Sequence, residues 1–227
     1  MDANYVVLFG AFLSILMINI VLSGDNAVVI ALASRSLPAS QQKKAVFYGT
    51  FGAIALRVLL TLVVVYLLKI PFLKFVGGVM LVWIAIKLLS HEEDDENVEG
   101  AANIWAAIKT IIVADFVMSL DNVLGVAAAA QGHMGLLIAG LAISIPIIIA
   151  GSSIILKLMD KWPFVVDIGA ALIGWTAGEM IMEDELIKGF IHNDIATYAI
   201  SLVLAVGVVV IGRYLASHPK ERKTDSI

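Results

Sequence analysis

Two stretches carry the residue types that could do chemistry inside an otherwise apolar chain: Asn19-Ile20-Val21-Leu22-Ser23-Gly24-Asp25-Asn26 and Asp115-Phe116-Val117-Met118-Ser119-Leu120-Asp121-Asn122. They are one phrase written twice: a polar residue, Ser four positions later, one further residue, then Asp-Asn. The polar positions keep a single offset of 96 residues, pairing Asn19 with Asp115, Ser23 with Ser119, Asp25 with Asp121 and Asn26 with Asn122. A carboxylate inside an apolar run is costly unless it is paired or used. The set offers carboxylates, amide carbonyls and hydroxyls, all hard oxygen donors that suit Mn²⁺, Mg²⁺ or Ca²⁺. The chain has no Cys, and its four His (His91, His133, His192, His218) fall in predicted loops or the tail, which argues against a Cu⁺ or Zn²⁺ site. Two or three carboxylates balance a divalent ion better than a monovalent one.

The elements that must position these residues are membrane helices. The 227 residues are 60% hydrophobic and 15% charged, with a mean hydropathy of +0.97. At about 20 apolar residues per crossing, there is room for roughly seven spans and no soluble domain. The net charge of −4 says little about partners when the bilayer covers most of the chain. The runs predict spans over about 4–34, 45–68, 72–89, 103–130, 134–157, 164–182 and 195–215. Between them, 35–44 reads as a loop stopped by Pro38, 69–71 as a tight turn, 91–102 as an acidic linker and 183–194 as a polar connector. The first run is too long, and its start too poor in Lys and Arg, for a cleaved signal peptide, so it is expected to be retained. Gly24 predicts a break beside the first phrase, and Pro146 a kink in the fifth span.

The repetition extends beyond the two phrases. Gly77, Trp83 and Lys87 of the third span align with Gly169, Trp175 and Glu179 of the sixth at an offset of 92 residues. A repeated unit of three spans must insert its second copy upside down, giving an inverted repeat with its site near the midplane. The expected fold is all-α: seven transmembrane helices, two inverted three-helix repeats (about 4–89 and 103–182) plus a C-terminal helix (about 195–215), in a single membrane domain over 1–227. Arg35, Lys43, Lys44, Lys157, Lys161, Arg213, Lys220, Arg222 and Lys223 fall on one side and only Lys69, Lys74 and Lys188 on the other. The positive-inside rule therefore puts the N-terminus outside and the C-terminus inside.

Other readings compete for each residue. Asp25 and Asp121 could cap helix breaks. Asp115 could serve only to pair Arg57, which stands near the centre of the second span. Arg57 could neutralise the carboxylates or reach water along a cavity. Lys87 reads as snorkelling, Asp167 as interfacial, and Trp83 and Trp175 as packing or interface anchors. Glu179 is balanced between an interfacial residue and a ligand or proton relay. The acidic linker reads as a solvated connector, and more weakly as a cation-concentrating mouth. An intramembrane aspartyl protease with Asp25 and Asp121 sharing a proton would need Tyr-Asp and Gly-x-Gly-Asp phrases that are absent. A scaffold for other membrane components is the remaining reading.

Ser23-Gly24-Asp25-Asn26-Ala27, Ser119-Leu120-Asp121-Asn122, the Arg57 span, Ser144-Ile145-Pro146 and the Gly-Trp-Glu of the sixth span resemble the TerC family of bacterial integral membrane proteins. The resemblance runs from about residue 5 to 215. It implies seven spans in the bacterial cytoplasmic membrane, metal homeostasis and, for several members, Mn²⁺ export; the family name comes from tellurium resistance. By carry-over, Asp25, Asn26, Asp121 and Asn122 would be the cation ligands, with Asp115 and Glu179 as additions. Ser23, Ser119, Asn19 and Arg57 would line the pathway or act as charge partners. The expected function is export of a divalent cation, Mn²⁺ foremost, by proton antiport through an oxygen-ligand site between helices 1 and 4. The alternatives are transport of Ca²⁺ or another cation, or a scaffold or tellurium-resistance role without transport. The chain is expected not to be an enzyme and to need no cofactor beyond the cation it carries. Its expected partners are lipid, the divalent cation and protons, with a homo-oligomer or secretion-machinery contact open and no nucleic acid.

Overall fold

A computed structural model describes residues 13, 17, 23–67, 70–90, 100–130, 134–191 and 193–218. Among the described residues there are eight helices and no strand: α1 (Ser23–Ser34), α2 (Ala39–Leu67), α3 (Leu73–Ser90), α4 (Gly100–Ala130), α5 (Met134–Lys161), α6 (Phe164–Met182), α7 (Glu185–Phe190) and α8 (Asp194–Ser217). Six of them, α2 to α6 and α8, are long and apolar enough to cross a membrane. α1 is a shorter apolar helix in the described residues. Most of the predicted first span, 4–34, lies outside them. α1 is helical from Ser23 through Gly24 to Ser34, so the break predicted at Gly24 is not seen among the described residues; residues 18–22 lie outside them.

The helix boundaries follow the chain's punctuation, with three corrections. α2 begins at Ala39, inside the predicted 35–44 loop, because Pro38 starts rather than stops a helix: its carbonyl accepts from the amides of Gln41 (2.7 Å) and Gln42 (2.9 Å). α4 begins at Gly100, inside the predicted linker. The connector after α6 holds the six-residue helix α7, capped by Asp184. Pro146 sits within α5 without ending it, and Ser144 beside it donates its hydroxyl to the Leu141 carbonyl (2.6 Å).

α1 is the hub of the bundle. Ala27, Val29, Ile30, Ala31, Leu32 and Ala33 are all buried, so the helix is covered around its circumference. It packs against α5, α4, α6 and α2. α2 lies along α4, α3 along α6, and α8 against both α6 and α3. The hydrophobic effect cannot drive such contacts in lipid, so close approach at small residues matters more. A Cβ added at Gly174 of α6 would stand 2.9 Å from the Cα of Ala205 in α8, and one at Gly178 would stand 2.7 Å from Ser201 Oγ. Gly174 and Gly178 thus form a small-xxx-small stripe that Ser201 and Ala205 face.

The contact registers give the helix directions. Gly49 meets Ile111, Gly52 meets Ile112, and Arg57 meets Asp115 and Ser119, so positions rise together and α2 and α4 run parallel. Along α3 and α6, and along α6 and α8, one number rises as the other falls (Lys74 with Glu183, Gly77 with Met180; Gly174 with Ala205, Asp167 with Arg213), so those pairs are antiparallel. These directions agree with helices that cross one bilayer in alternation.

Candidate functional site: a buried charge cluster between α1, α2 and α4

α4 passes through the second phrase as one continuous helix. Asp115, Ser119 and Asn122 therefore fall at i, i+4 and i+7, on one face. Ser119 donates its hydroxyl to Asp115 Oδ2 at 3.1 Å. Arg57 reaches this face from the middle of α2. Its Nη2 donates to Asp115 Oδ1 at 2.6 Å and its Nε to Ser119 Oγ at 2.9 Å. Arg57 is 1% exposed and Asp115 8% exposed. The parallel packing of α2 on α4, made close by Gly49 and Gly52, is what brings a guanidinium on one helix level with a carboxylate on the other.

The first phrase enters from α1. Asp25 stands in the first turn, half-buried, and its Oδ1 accepts from the amide of the next residue, Asn26, at 2.8 Å, closer in sequence than the amides a helix cap reaches. Asn26 is 2% exposed. Asp25 lies within Coulombic reach of both Arg57 and Asp115. The cluster is thus two carboxylates, one guanidinium, a hydroxyl and flanking amides, drawn from three helices. Carboxylates in such a setting can bind a cation or exchange a proton, and Arg57 can do neither, because it stays charged and offers only donors.

The other predicted positions are distributed as follows. Asn122 lies half-buried on α4 beside the cluster face. Asn19 lies outside the described residues, as do the side chains of Ser23 and Asp121, whose backbones are helical. Glu179 is half-buried on α6 and forms no side-chain hydrogen bond or ion pair with the cluster among the described residues. No group of three or more His, Cys, Asp or Glu side chains suited to a metal occurs among the described residues. Lys87 is exposed, its ammonium 5.3 Å from the centre of the exposed Trp83 ring, which fits snorkelling. Trp175 packs on Tyr198 with ring centres 6.1 Å apart.

Two constellations were not legible in the sequence. Asp167 and Arg213, read separately as an interfacial residue and part of the basic tail, form a fork-to-carboxylate pair between α6 and α8 (2.7 and 3.0 Å). Asp184, read as part of a polar connector, is 3% exposed and accepts from two backbone amides, Phe75 in α3 (3.2 Å) and Leu186 in α7 (3.1 Å). Asp184 borders a cavity of about 400 Å³, lined also by Pro71, Phe72, Lys74, Glu183 and Lys188, that contains none of the predicted site residues. The one available signal was the Asp-Glu step after the sixth apolar run, a common helix-start pattern.

Comparison with known proteins adds the lineage. The family model described as "Integral membrane protein TerC family" matches residues 6–220. The chain is 40% identical over 211 residues to the uncharacterized membrane protein YjbE of Bacillus subtilis (strain 168), covering 93% of this chain and 95% of that one. It is 27% identical to the uncharacterized membrane protein YceF of the same organism, over 95% of this chain and 86% of that one. The UPF0053 inner membrane protein YoaE of Escherichia coli (strain K12) is 24% identical over 88% of this chain and 42% of its own length. No solved structure matches.

Proposed function

The chain belongs to the TerC family of integral, multi-pass membrane proteins, and from that premise we propose that it exports a divalent cation, Mn²⁺ foremost, from the cytoplasm by proton antiport. The observation that carries the reading is the convergence of Asp25, Arg57, Asp115 and Ser119 from three helices inside the apolar bundle. Intramembrane carboxylates facing a bundle interior mark ion pathways. Their donors are hard oxygens, which suit Mn²⁺, Ca²⁺ or Mg²⁺. Asp25, Asn26, Asp115, Asp121 and Asn122 are the assigned ligands, with Ser23, Ser119 and Asn19 along the path. Glu179 is assigned to proton relay on the way in or out. A carboxylate that releases metal takes up a proton readily, which supplies the antiport.

Seven spans built as two inverted three-helix units are the architecture this mechanism uses. The packing pattern supports it. When α1, α2 and α3 are exchanged with α4, α5 and α6, the pair α2–α4 becomes α5–α1, α3–α4 becomes α6–α1, and α1–α2 becomes α4–α5, and each of these pairs is in contact. α8 stands outside that exchange, against α3 and α6. The Lys and Arg distribution supports an outside N-terminus and an inside C-terminus.

The test is ion flux in proteoliposomes holding purified protein, with Mn²⁺, Ca²⁺, Mg²⁺ and Zn²⁺ compared. We expect Mn²⁺ flux in the wild type and its loss in Asp25→Asn, with membrane insertion intact. Undiminished flux in Asp25→Asn would remove Asp25 from the site. No flux of any ion from folded wild type would overturn the transport reading in favour of a scaffold.

A further inference from the structure

Arg57 is a permanent charge in the middle of an apolar helix, and it is almost wholly buried. Such a charge must be compensated nearby. The compensation here is incomplete: Nε and Nη2 have partners, while Nη1 is buried and has no hydrogen-bond partner among the described residues. A guanidinium normally reaches its full hold on a carboxylate through a two-pronged fork. Arg57 instead gives one prong to Asp115 and one to Ser119. Both Asp115 oxygens are engaged by the same contacts, Oδ1 by Arg57 and Oδ2 by the Ser119 hydroxyl. A cation that takes Asp115 as a ligand competes with Arg57 for its charge, and the two cations repel one another at that distance.

Asp25 adds direction to that exchange. It is within Coulombic reach of both members of the pair. A divalent ion arriving beside Asp25 repels Arg57 and attracts Asp115 at once. The pair also crosses a seam: Arg57 belongs to α2 and Asp115 to α4, one from each half of the repeated sequence. Breaking it frees the two halves from their one described buried ionic tie.

We propose that Arg57 is a tethered counter-cation of the transport pathway, competing with the divalent ion for Asp115, so that ion binding releases the α2–α4 tie and re-formation of the Arg57–Asp115 pair expels the ion. This rests on the transport reading above. No covalent or redox step is involved. Arg57 acts as a positioning and release residue and is not a ligand.

The experiment measures Mn²⁺ affinity by titration calorimetry and Mn²⁺ flux in proteoliposomes, using full-length wild type, Arg57→Gln and Arg57→Lys. Removing the competitor in Arg57→Gln should tighten Mn²⁺ binding by about tenfold, within the usual span of coupling between two competing ligands, while flux falls by a similar factor because release is lost. Arg57→Lys keeps the charge without the planar fork and should bind Mn²⁺ more tightly than wild type but less tightly than Arg57→Gln. If Arg57→Gln does not fold, Arg57→Lys alone carries the test, and affinity equal to or below wild type overturns the proposal. A wild type that binds and carries Mn²⁺, with Arg57→Gln binding no more tightly, keeps the transport reading and overturns this one. A folded wild type that neither binds nor moves any divalent ion overturns both.

Discussion

Replacing Asp115 by Asn tests the charge cluster independently of any transported ion. The substitution keeps a carbonyl oxygen for Arg57 Nη2 but removes the one countercharge that touches it among the described residues, from beside a side chain that is 1% exposed. Breaking a buried ion pair from one side costs about 3–5 kcal/mol, because the remaining charge is stranded. The retained carbonyl puts Asp115→Asn near the lower end, about 3 kcal/mol. For a chain of this length each kcal/mol moves Tm by about 2–4 °C, so the expected loss is about 6–12 °C. The assay is thermal unfolding of detergent-purified protein, followed by the fraction that remains monodisperse on size exclusion. The control is the double variant Arg57→Met with Asp115→Leu, which removes both charges and fills the space with apolar groups. Replacing a buried pair in this way is commonly neutral or stabilising, so the double variant should recover most of the loss. A drop below about 2 °C in Asp115→Asn would refute the reasoning. So would a double variant whose loss is the sum of its two single substitutions, since that means the residues are uncoupled.

Two further predictions concern the scaffold around the site. Gly174→Val places branched carbon where a Cβ would already stand 2.9 Å from backbone atoms of Ala205 and Leu204, so α8 must move away. We expect a loss of about 1–3 kcal/mol, read as lower thermal stability and lower folded yield; unchanged stability would mean that α6 and α8 do not pack this closely. Asp184→Ala strands two amides, Phe75 N and Leu186 N, and should cost about 1–3 kcal/mol by the same unfolding assay, with Asp184→Asn intermediate. An Asp184→Ala variant as stable as wild type would show that water replaces the carboxylate without cost.

What the sequence made legible was what depends on runs and periods. Apolar stretches bounded by Pro71 and Pro163 gave the positions of α3 and α6 to within a residue or so, because length and hydropathy dominate in lipid. The four-residue spacing of Asp115 and Ser119 predicted their shared face, and the structure joins them by a hydrogen bond. The pairing of Arg57 with Asp115 was one of two open readings. Choosing between them needs the register of α2 against α4, which depends on Gly49 and Gly52 meeting Ile111 and Ile112, a detail of shape that no single-chain pattern encodes. Pro38 was read as a stop when it starts a helix, since one residue type serves both ends of a loop. Asp167 and Arg213 are 46 residues apart, and nothing in either one's neighbourhood points to the other.

Asp184 has a mechanical meaning beyond its hydrogen bonds. One buried carboxylate holds the amide ends of α3 and α7 together, just past the last turn of α6. The adjoining turn is under tension, with Phe72 held at a φ of 59°, a backbone setting that bulky residues avoid. α3 and α6 are therefore fastened at this end like the two legs of a tuning fork. Sliding one past the other here costs the bond from the Phe75 amide and leaves a buried carboxylate oxygen without it. A movement that parts α3 from α6 at this end has to break the Phe75 amide's bond to Asp184.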